Sequence, residues 1–252
     1  MKISFCIIVH NEEENLPRCL KSIVSLADEI IVVDSDSTDR TCEVARKWGA
    51  QIFFHAWEGY VIQKNYALSL ARNEWVFSID ADEELSPQLQ KEILAFKKTE
   101  SLEVNGFIMP RVVFFENRWI RFGDWYPDYL VRLFRRSHAK FTGGSVHERL
   151  EITGEILHFL GELHHYTYRD RADQMSRIER YSSLWAESAF KEGKRCGALA
   201  PYFRTGWRLF RGFVLKNGWK GGSLGWYIAR ACAREVFMKY SKLRRLQREA
   251  ST

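Results

Sequence analysis

Residues 3–34 read ISFCIIVHNEEENLPRCLKSIVSLADEIIVVD, in which two short apolar runs are separated by an acidic loop and an amphipathic segment. The runs at 3–9 and 29–33 are rich in β-branched residues and end in polar loops, which is typical of buried parallel strands. Residues 15–27 have apolar side chains at helical spacing, with Pro17 near the start, where proline is tolerated. The stretch therefore predicts a β-α-β unit.

The same alternation continues through the next fifty residues. Further elements are predicted at 39–48 (helix), 51–54 (strand), 59–71 (helix) and 75–79 (strand). This order predicts an α/β fold built on an open, mostly parallel twisted sheet with helices on both faces. Ligands bind such sheets at the carboxyl ends of the strands, and the acidic loops at 11–14, 34–39 and 80–84 are expected there.

From residue 106 onward the pattern changes to short strand-like runs and then to helices. Strands are predicted at 107–109, 112–115, 129–134 and 157–163, and helices at 171–192, 201–216 and 224–246. No linker rich in proline, glycine or serine separates the two patterns. We predict a main domain over 1–166 and a helical extension over 167–252.

The composition places the chain among ordinary globular proteins. It has 252 residues, of which 46% are hydrophobic and 28% charged, and this excludes a disordered or fibrous protein. Its five cysteines form no CxxC pair, which argues against a zinc site and a disulfide framework and favours a reduced, cytoplasmic compartment. The opening residues lack a secretory-signal pattern, and no uncharged apolar run approaches the roughly 18 residues of a membrane span.

The net charge of +6 is distributed unevenly along the chain. Residues 1–166 have 19 basic and 25 acidic side chains (−6), whereas residues 167–252 have 19 and 7 (+12). In the basic part, Arg204, Arg208 and Arg211 recur at helical spacing among aromatic residues. A basic amphipathic helix with aromatic anchors favours an anionic membrane surface, although helices that pack while their basic faces are solvated are the alternative. No nucleic-acid partner is expected, because no nucleic-acid-binding motif accompanies the charge.

Carboxylates follow two of the predicted strands directly. Asp80-Ala81-Asp82 can hold a hard divalent cation with one carboxylate while the other faces a group such as a ribose hydroxyl. Such a cation neutralises charge on a departing diphosphate. Asp34 is placed to accept a hydrogen bond from a base N–H or a sugar hydroxyl. The alternative for Asp80-Ala81-Asp82 is a solvated acidic turn. The alternative for the loop after Asp34 is a helix cap formed by residues 37–39.

Four stretches in this order and spacing resemble the family 2 glycosyltransferases of the GT-A fold. They are His10-Asn11-Glu12, the run VVDSDSTDRT at 32–41, Gln63-Lys64-Asn65 and Asp80-Ala81-Asp82. The resemblance implies a UDP-sugar donor and Mg²⁺ or Mn²⁺. It assigns nucleotide binding to His10, Asn11 and Glu12, the uracil to Asp34, the diphosphate to Lys64, the ribose to Asp80 and the metal to Asp82. A solvated helix lysine is the alternative for Lys64.

Two stretches in the second half of the chain narrow the resemblance to one group within this family. Residues 123–135 (GDWYPDYLVRLFR) and 144–148 (GSVHE) are similar to the lipopolysaccharide inner-core β-1,4-glucosyltransferases that act on the first heptose. This likeness implies an inverting transfer of a hexose, glucose from UDP-glucose, to a lipid-linked inner-core acceptor. It also implies a bacterial cytoplasmic enzyme, peripheral on the inner face of the inner membrane.

Direct displacement with inversion needs a carboxylate that takes the proton of the acceptor hydroxyl. We assign this role to Asp128, which lies at a strand edge where the family's base is found, with Asp124 as the alternative. The competing interpretation is that Asp128 merely pairs with Arg132 or Arg135.

The remaining site residues are assigned less directly. His147 is a candidate ligand of the metal, and Glu148 is a candidate contact of the sugar hydroxyls. Trp125 and Tyr126 form a candidate platform for a pyranose, although aromatic residues beside a strand are more often core.

Two other classes of protein are weighed against this function. A sugar-phosphate nucleotidyltransferase shares acidic metal loops on a related sheet, but it needs a glycine-rich loop after the first strand. The acidic residues 11–14 there would repel a triphosphate. A non-catalytic basic binding protein would leave the acidic loops without a purpose.

Overall fold

The computed structural model describes residues 1–143 and 148–250, which divide into two compact units. Unit 1 comprises Met1–Val112 and Asp128–Tyr166, and unit 2 comprises Val113–Pro127 and Thr167–Thr252. The predicted division at residue 166 therefore needs one correction, since residues 113–127 belong with the C-terminal helices. The physical reason is burial, because Phe115 and Ile120 enter one apolar cluster with Leu224 and its neighbours.

The elements are numbered in chain order. The strands are β1 (Ile3–Val9), β2 (Glu29–Asp34), β3 (Gln51–Phe54), β4 (Trp75–Ser78), β5 (Glu83–Leu85), β6 (Gly106–Phe115), β7 (Arg118–Ile120), β8 (Asp128–Arg135), β9 (Ala139–Gly143), β10 (Glu148–Ile152), β11 (Ile156–His158) and β12 (Leu163–His165). The helices are α1 (Leu16–Ile23), α2 (Thr41–Lys47), α3 (Tyr60–Leu70), α4 (Pro87–Lys97), α5 (Arg171–Lys191), α6 (Ala200–Phe210) and α7 (Gly222–Glu249), with a π-helical turn (Arg211–Leu215) after α6.

The main sheet of unit 1 has the strand order β3-β2-β1-β4-β8-β6-β12-β5, with β11 beside the start of β6. The pairs β1–β2, β2–β3 and β1–β4 are parallel, as predicted for the first eighty residues. Beyond β4 the sheet is mixed, since β8 runs antiparallel to both β4 and β6. Only β7 and a short 3-10 turn (Gly123–Trp125) lie between β6 and β8, so the α-helical crossover that usually joins a parallel pair is missing from residues 116–127. The α/β class is confirmed, and "mostly parallel" holds for the N-terminal strands.

Helices cover both faces of the sheet, and the alternation of side chains along β1 shows why. Phe5 and Ile7 join one apolar cluster with Leu20 of α1, whereas Cys6 joins a second cluster with Leu68 of α3. Successive strand residues point to opposite faces, so a continuous apolar run such as β1 can bury both sides.

Three predicted strands have different bounds in the structure. The runs at 107–109 and 112–115 form one strand, β6, which includes Pro110. The run at 157–163 instead breaks into β11 and β12, because Glu92 of α4 accepts hydrogen bonds from the backbone N–H groups of Leu160 and Gly161, both at 3.0 Å. Those two amides are consequently taken out of strand pairing.

Unit 2 contains the three C-terminal helices, and α5 and α6 both pack against α7. Its pair β6–β7 joins residues 113–115 to Arg118–Ile120. Among the residues that the structure describes, no helix is long and apolar enough to cross a membrane.

Candidate active site

The carboxyl ends of β1, β2 and β4 bring three of the predicted loops together in unit 1. Val9 at the end of β1 pairs with Asp34 at the end of β2. On the other side of β1, Cys6 pairs with Ser78, and the next N–H, that of Ile79, donates to the Cys6 carbonyl at 3.1 Å. The loops that start at His10, Ser35 and Asp80 therefore leave one edge of the sheet, as predicted.

The first two of these loops are hydrogen-bonded to each other. Asn11 adopts a left-handed conformation (φ 56°), its N–H donates to Ser37 Oγ at 2.9 Å, and its side-chain oxygen accepts from the Thr38 N–H at 2.8 Å. The Glu12 N–H donates to Thr41 Oγ1 at 2.8 Å, and His10 Nδ1 lies 2.8 Å from the Ser35 carbonyl. The side chain of Asn11 thus shapes the loop, and His10 is exposed at its edge.

Asp34 is buried, and its two carboxylate oxygens differ. Oδ2 accepts the Ser37 N–H at 3.1 Å, whereas Oδ1 is buried with no hydrogen-bond partner within 1–143 and 148–250. A cavity of about 490 Å³ adjoins this carboxylate, and it is lined by Asp34, Cys42, Arg46, Ala50, Ile52 and Phe54. Burial, followed by the nearby Asp34 charge, raises the pKa of the Cys42 thiol. A cavity of this size, walled by Ala50, Ile52 and Phe54 and with Asp34 and Arg46 at its edge, suits a flat heterocycle.

Lys64 and Arg132 hold Asp80 from two sides. Lys64 Nζ lies 3.0 Å from Asp80 Oδ1 and 2.7 Å from Glu148 Oε1, and Arg132 Nη2 lies 2.7 Å from Asp80 Oδ2 and 2.6 Å from Glu83 Oε1. Burial works to raise the pKa of Asp80, but the Arg132 and Lys64 cations hold it well below its usual range. Lys64 is itself buried, so the alternative of a solvated helix lysine is wrong.

Asp128 is held by Arg111. Arg111 Nε and Nη2 donate to Asp128 Oδ2 at 3.0 and 2.7 Å, and Nη1 lies 3.2 Å from Glu83 Oε1. The side chain of Asp128 keeps 42% of its surface exposed. The alternative pairing with Arg132 or Arg135 is wrong, because Arg132 binds Asp80 and Glu83 while Arg135 donates to the Leu102 and Val104 carbonyls.

Seven charged side chains consequently alternate in sign along one continuous network of ion pairs. In order they are Glu148, Lys64, Asp80, Arg132, Glu83, Arg111 and Asp128. The network joins the predicted diphosphate and ribose residues to the predicted base, and it fixes the position of each. Glu148, predicted at the acceptor, lies at the Lys64 end of it.

Asp82 pairs with a histidine to which no role was assigned in advance. His165 Nε2 lies 3.3 Å from Asp82 Oδ2, and hydrogen bonding to His165 lowers the pKa of Asp82 against the opposing effect of burial. Neighbouring ligands of an octahedral ion with bonds of about 2.1 Å are about 3 Å apart, so this oxygen and nitrogen fit one divalent cation. The described residues contain no group of three or more His, Cys, Asp and Glu that could hold a metal. His147, the predicted ligand, lies outside them.

Trp125 and Tyr126 belong to unit 2. Trp125 packs edge-on against Phe115, with ring centroids 5.5 Å apart, and against Tyr168 at 5.4 Å, which is the core packing weighed as the alternative to a sugar platform. Tyr126 precedes a cis peptide bond to Pro127.

Asp124, the alternative base, is buried in unit 2. Its carboxylate is bound by Arg208 Nε at 2.9 Å and by Arg211 Nε at 3.0 Å. These two arginines therefore neutralise an internal carboxylate. The prediction that Arg204, Arg208 and Arg211 together form a basic surface is wrong, because of the three only Arg204 does not pair with Asp124.

Four side chains of the site received no role from the sequence, and they share one property. Glu83, Arg111, Arg132 and His165 acquire their roles through cross-strand contact. The registers Arg111–Asp128 in β6–β8 and Glu83–His165 in β5–β12 set two of these contacts. Strand periodicity could have placed Arg132 on the same face as Asp128, but nothing local shows which strands become neighbours.

Comparison with known proteins identifies the family of the chain. A family model described as "Glycosyl transferase family 2" matches residues 4–159. An uncharacterized glycosyltransferase of Rickettsia prowazekii is 30% identical over 97% of this chain and 87% of its own, and the lipopolysaccharide core biosynthesis glycosyltransferase LpsC of Rhizobium meliloti is 29% identical over 96% and 92%.

Among solved structures, Staphylococcus aureus TarS 1–349, crystallised with UDP-GlcNAc, has a TM-score of 0.50 and 14% identity over 99% of this chain and 92% of that one. This likeness concerns the fold. Because the family model covers more than half of the sequence, the chain belongs to glycosyl transferase family 2.

Proposed function

We propose that this glycosyltransferase moves a hexose, glucose from UDP-glucose, with inversion to a lipid-linked lipopolysaccharide core acceptor. The observation that carries the proposal is the half-exposed Asp128 carboxylate, joined through Arg111, Glu83 and Arg132 to Asp80 at the predicted ribose site. The name of the LpsC relative supports the lipopolysaccharide acceptor. The choice of glucose rests on the resemblance of residues 123–135 and 144–148.

The chemistry follows from the side chains. The acceptor hydroxyl oxygen forms a bond to the anomeric carbon while the bond from that carbon to the diphosphate oxygen breaks, and UDP leaves with the electron pair. Asp128 accepts the hydroxyl proton as the new bond forms. Arg111 holds the carboxylate at one position through two N–H donors, so the base needs no reorientation before the step. Lys64 supplies a positive charge for the diphosphate.

The charge of the site favours a divalent cation. Six carboxylates lie in or beside the ion-pair network, at positions 80, 82, 83, 84, 128 and 148, against four cations, at positions 18, 64, 111 and 132. A diphosphate would meet net negative charge there. A Mg²⁺ or Mn²⁺ ion held by Asp82 and His165 would offset that charge.

The proposed metal ligands, Asp82 and His165, yield a prediction. We expect His165→Gln and Asp82→Asn each to weaken Mn²⁺ binding by at least about tenfold, because each removes one protein ligand. Calorimetric titration of the protein with Mn²⁺ measures this directly, beside the Mn²⁺ dependence of UDP release. The matched control is His158→Gln, since His158 is exposed on β11. Equal Mn²⁺ affinity in His165→Gln and wild type would contradict the role of His165.

The nucleotide site yields a second prediction. We expect Asp34→Asn to raise the KM for the UDP-sugar about 10- to 100-fold, because the unpartnered Oδ1 acceptor is lost while the amide oxygen can still accept the Ser37 N–H. Asp36→Asn is the control, since it removes the same charge at an exposed position two residues on. Initial-rate kinetics at saturating acceptor measure both. An unchanged KM in Asp34→Asn would remove the base contact from the proposal.

The donor and acceptor are tested with purified protein. UDP-glucose, UDP-galactose and UDP-GlcNAc are each offered with a heptose-terminated lipopolysaccharide and Mn²⁺, and the product's sugar and linkage are read by NMR. We expect glucose transfer with inverted anomeric configuration. Consumption of UTP or CTP with a sugar phosphate, together with release of pyrophosphate, would instead identify a nucleotidyltransferase.

A lipid-linked acceptor requires the enzyme to work at a membrane surface. We therefore propose a cytoplasmic protein that is peripheral on the inner face of the bacterial inner membrane. Anionic lipids there attract nearby Lys and Arg side chains by about 1 kcal/mol each.

A further inference from the structure

The helical segment Ala200–Leu215 in unit 2, together with Leu199 directly before it, exposes a stripe of large apolar side chains. They follow one another at positions i, i+4, i+8, i+11 and i+15, which lie on one helix face, and they are Leu199, Phe203, Trp207, Phe210 and Val214. Phe203 is 74% exposed and Trp207 58%. Single exposed apolar residues are ordinary, but a contiguous patch of this kind marks an interaction surface. We call these five residues the apolar stripe.

Internal ion pairs fix the stripe in its outward orientation. Arg208 and Arg211, which flank the stripe on the same helical segment, bind the buried Asp124 carboxylate. The helix backbone also packs closely there, because a Cβ atom at Gly212 would lie 2.7 Å from Asp124 Oδ2. Turning the apolar stripe inward would leave Asp124 buried without its cations, which is strongly unfavourable.

The charge around the apolar stripe points to an anionic partner. Residues 193–234 contain nine Lys and Arg residues and no Asp or Glu, and of the nine only Arg208 and Arg211 are paired with the internal Asp124. Arg204, Lys216 and Lys220 are exposed within this stretch, and so is Trp219. A partner that offers both an apolar interior and a negatively charged surface meets both requirements, and a bilayer with anionic phospholipids has this chemistry.

We propose that the apolar stripe inserts into the outer part of a phospholipid monolayer, with the helical segment in the plane of the membrane. At 1.5 Å per residue the segment spans about 24 Å along that plane. Its aromatic side chains enter the boundary between headgroups and acyl chains, and the neighbouring basic residues contact anionic headgroups. The inference rests on the proposed function only in that a lipid-linked acceptor gives the membrane contact its purpose.

Flotation of the full chain with liposomes tests the proposal. The probes are two kinds of vesicle. One contains phosphatidylcholine alone, and the other contains phosphatidylcholine with about a third phosphatidylglycerol, an anionic lipid. We expect wild type to float with the anionic vesicles. We expect Phe203→Ser/Trp207→Ser to lower the partition coefficient at least about 30-fold, since two aromatic side chains no longer enter the apolar layer. Lys216→Gln/Lys220→Gln should weaken binding to the anionic vesicles and leave the phosphatidylcholine result unchanged.

Leu160→Ser is the matched control, because Leu160 is 76% exposed and belongs to unit 1, whereas the apolar stripe belongs to unit 2. Flotation of Phe203→Ser/Trp207→Ser equal to wild type overturns the proposal. Light scattering that shows a wild-type dimer, lost in the same variant, without vesicle binding would also overturn it and assign the stripe to a second copy of the chain. UDP release with a water-soluble heptose acceptor is measured in parallel, so a failure of the transferase function is distinguishable from a failure of membrane binding.

Discussion

Asp128→Asn is expected to lower kcat for sugar transfer about 1,000-fold while the KM for the UDP-sugar changes little. The variant keeps the shape of the side chain, and its amide oxygen can still accept hydrogen bonds from Arg111. What it loses is the basic electron pair that takes the acceptor proton, and general-base catalysis contributes typically about 10²- to 10⁴-fold. Initial rates of UDP release with saturating acceptor measure the effect.

The control for this experiment is Asp28→Asn. Asp28 is also a partly exposed carboxylate in an ion pair, with Lys97 Nζ at 2.6 Å, but it lies just before β2, at the amino end of the strand. Its replacement removes the same charge far from the carboxyl ends of the strands, so kcat should stay within about twofold. A kcat for Asp128→Asn within about tenfold of wild type would contradict the assignment of the base.

Part of the proposed nucleotide site could be predicted from sequence, because Asp34 and Asp80 follow strands that local patterns reveal. Continuous apolar runs mark β1, β2 and β4 as buried on both faces, and the residues just after them must lie at one edge of the sheet. Asp34 and Asp80 were placed in this way, whereas Lys64 lies on α3 and was assigned only through the resemblance to family 2 glycosyltransferases. The backbone needs of the loops, such as the left-handed Asp36 (φ 65°), are also local properties.

The acceptor half could be predicted only in part, since its contacts depend on which strands become neighbours. Arg111 meets Asp128 because β6 and β8 pair antiparallel, and His165 reaches Asp82 because β12 pairs with β5. Asp124 illustrates the same limit, as its partners Arg208 and Arg211 lie more than eighty residues along the chain. Periodicity reports the face of a strand or helix and carries no information on such distant partners.

The second large effect concerns stability. Arg132→Met is expected to lower the free energy of unfolding by about 3–5 kcal/mol, because it removes one cation from a buried network and leaves the carboxylates under-compensated. Arg132 is 6% exposed, and its partner Glu83 has a fully buried side chain. After the substitution Asp80 keeps Lys64, and Glu83 keeps only Arg111. Urea unfolding followed by circular dichroism measures the loss.

A double-mutant cycle separates the ion pair from simple loss of packing. If the cost arises from uncompensated charge, Glu83→Gln in the Arg132→Met background should restore about half of the lost stability or more, because the buried carboxylate is then neutral. Arg169→Met is the control, since Arg169 is 82% exposed and its pair with Asp173 is long at 3.9 Å, so its removal should cost less than about 1 kcal/mol. If Arg132→Met and the double variant are equally destabilised, packing and not charge holds this part of the site, and Arg132 then has no electrostatic role in positioning Asp80.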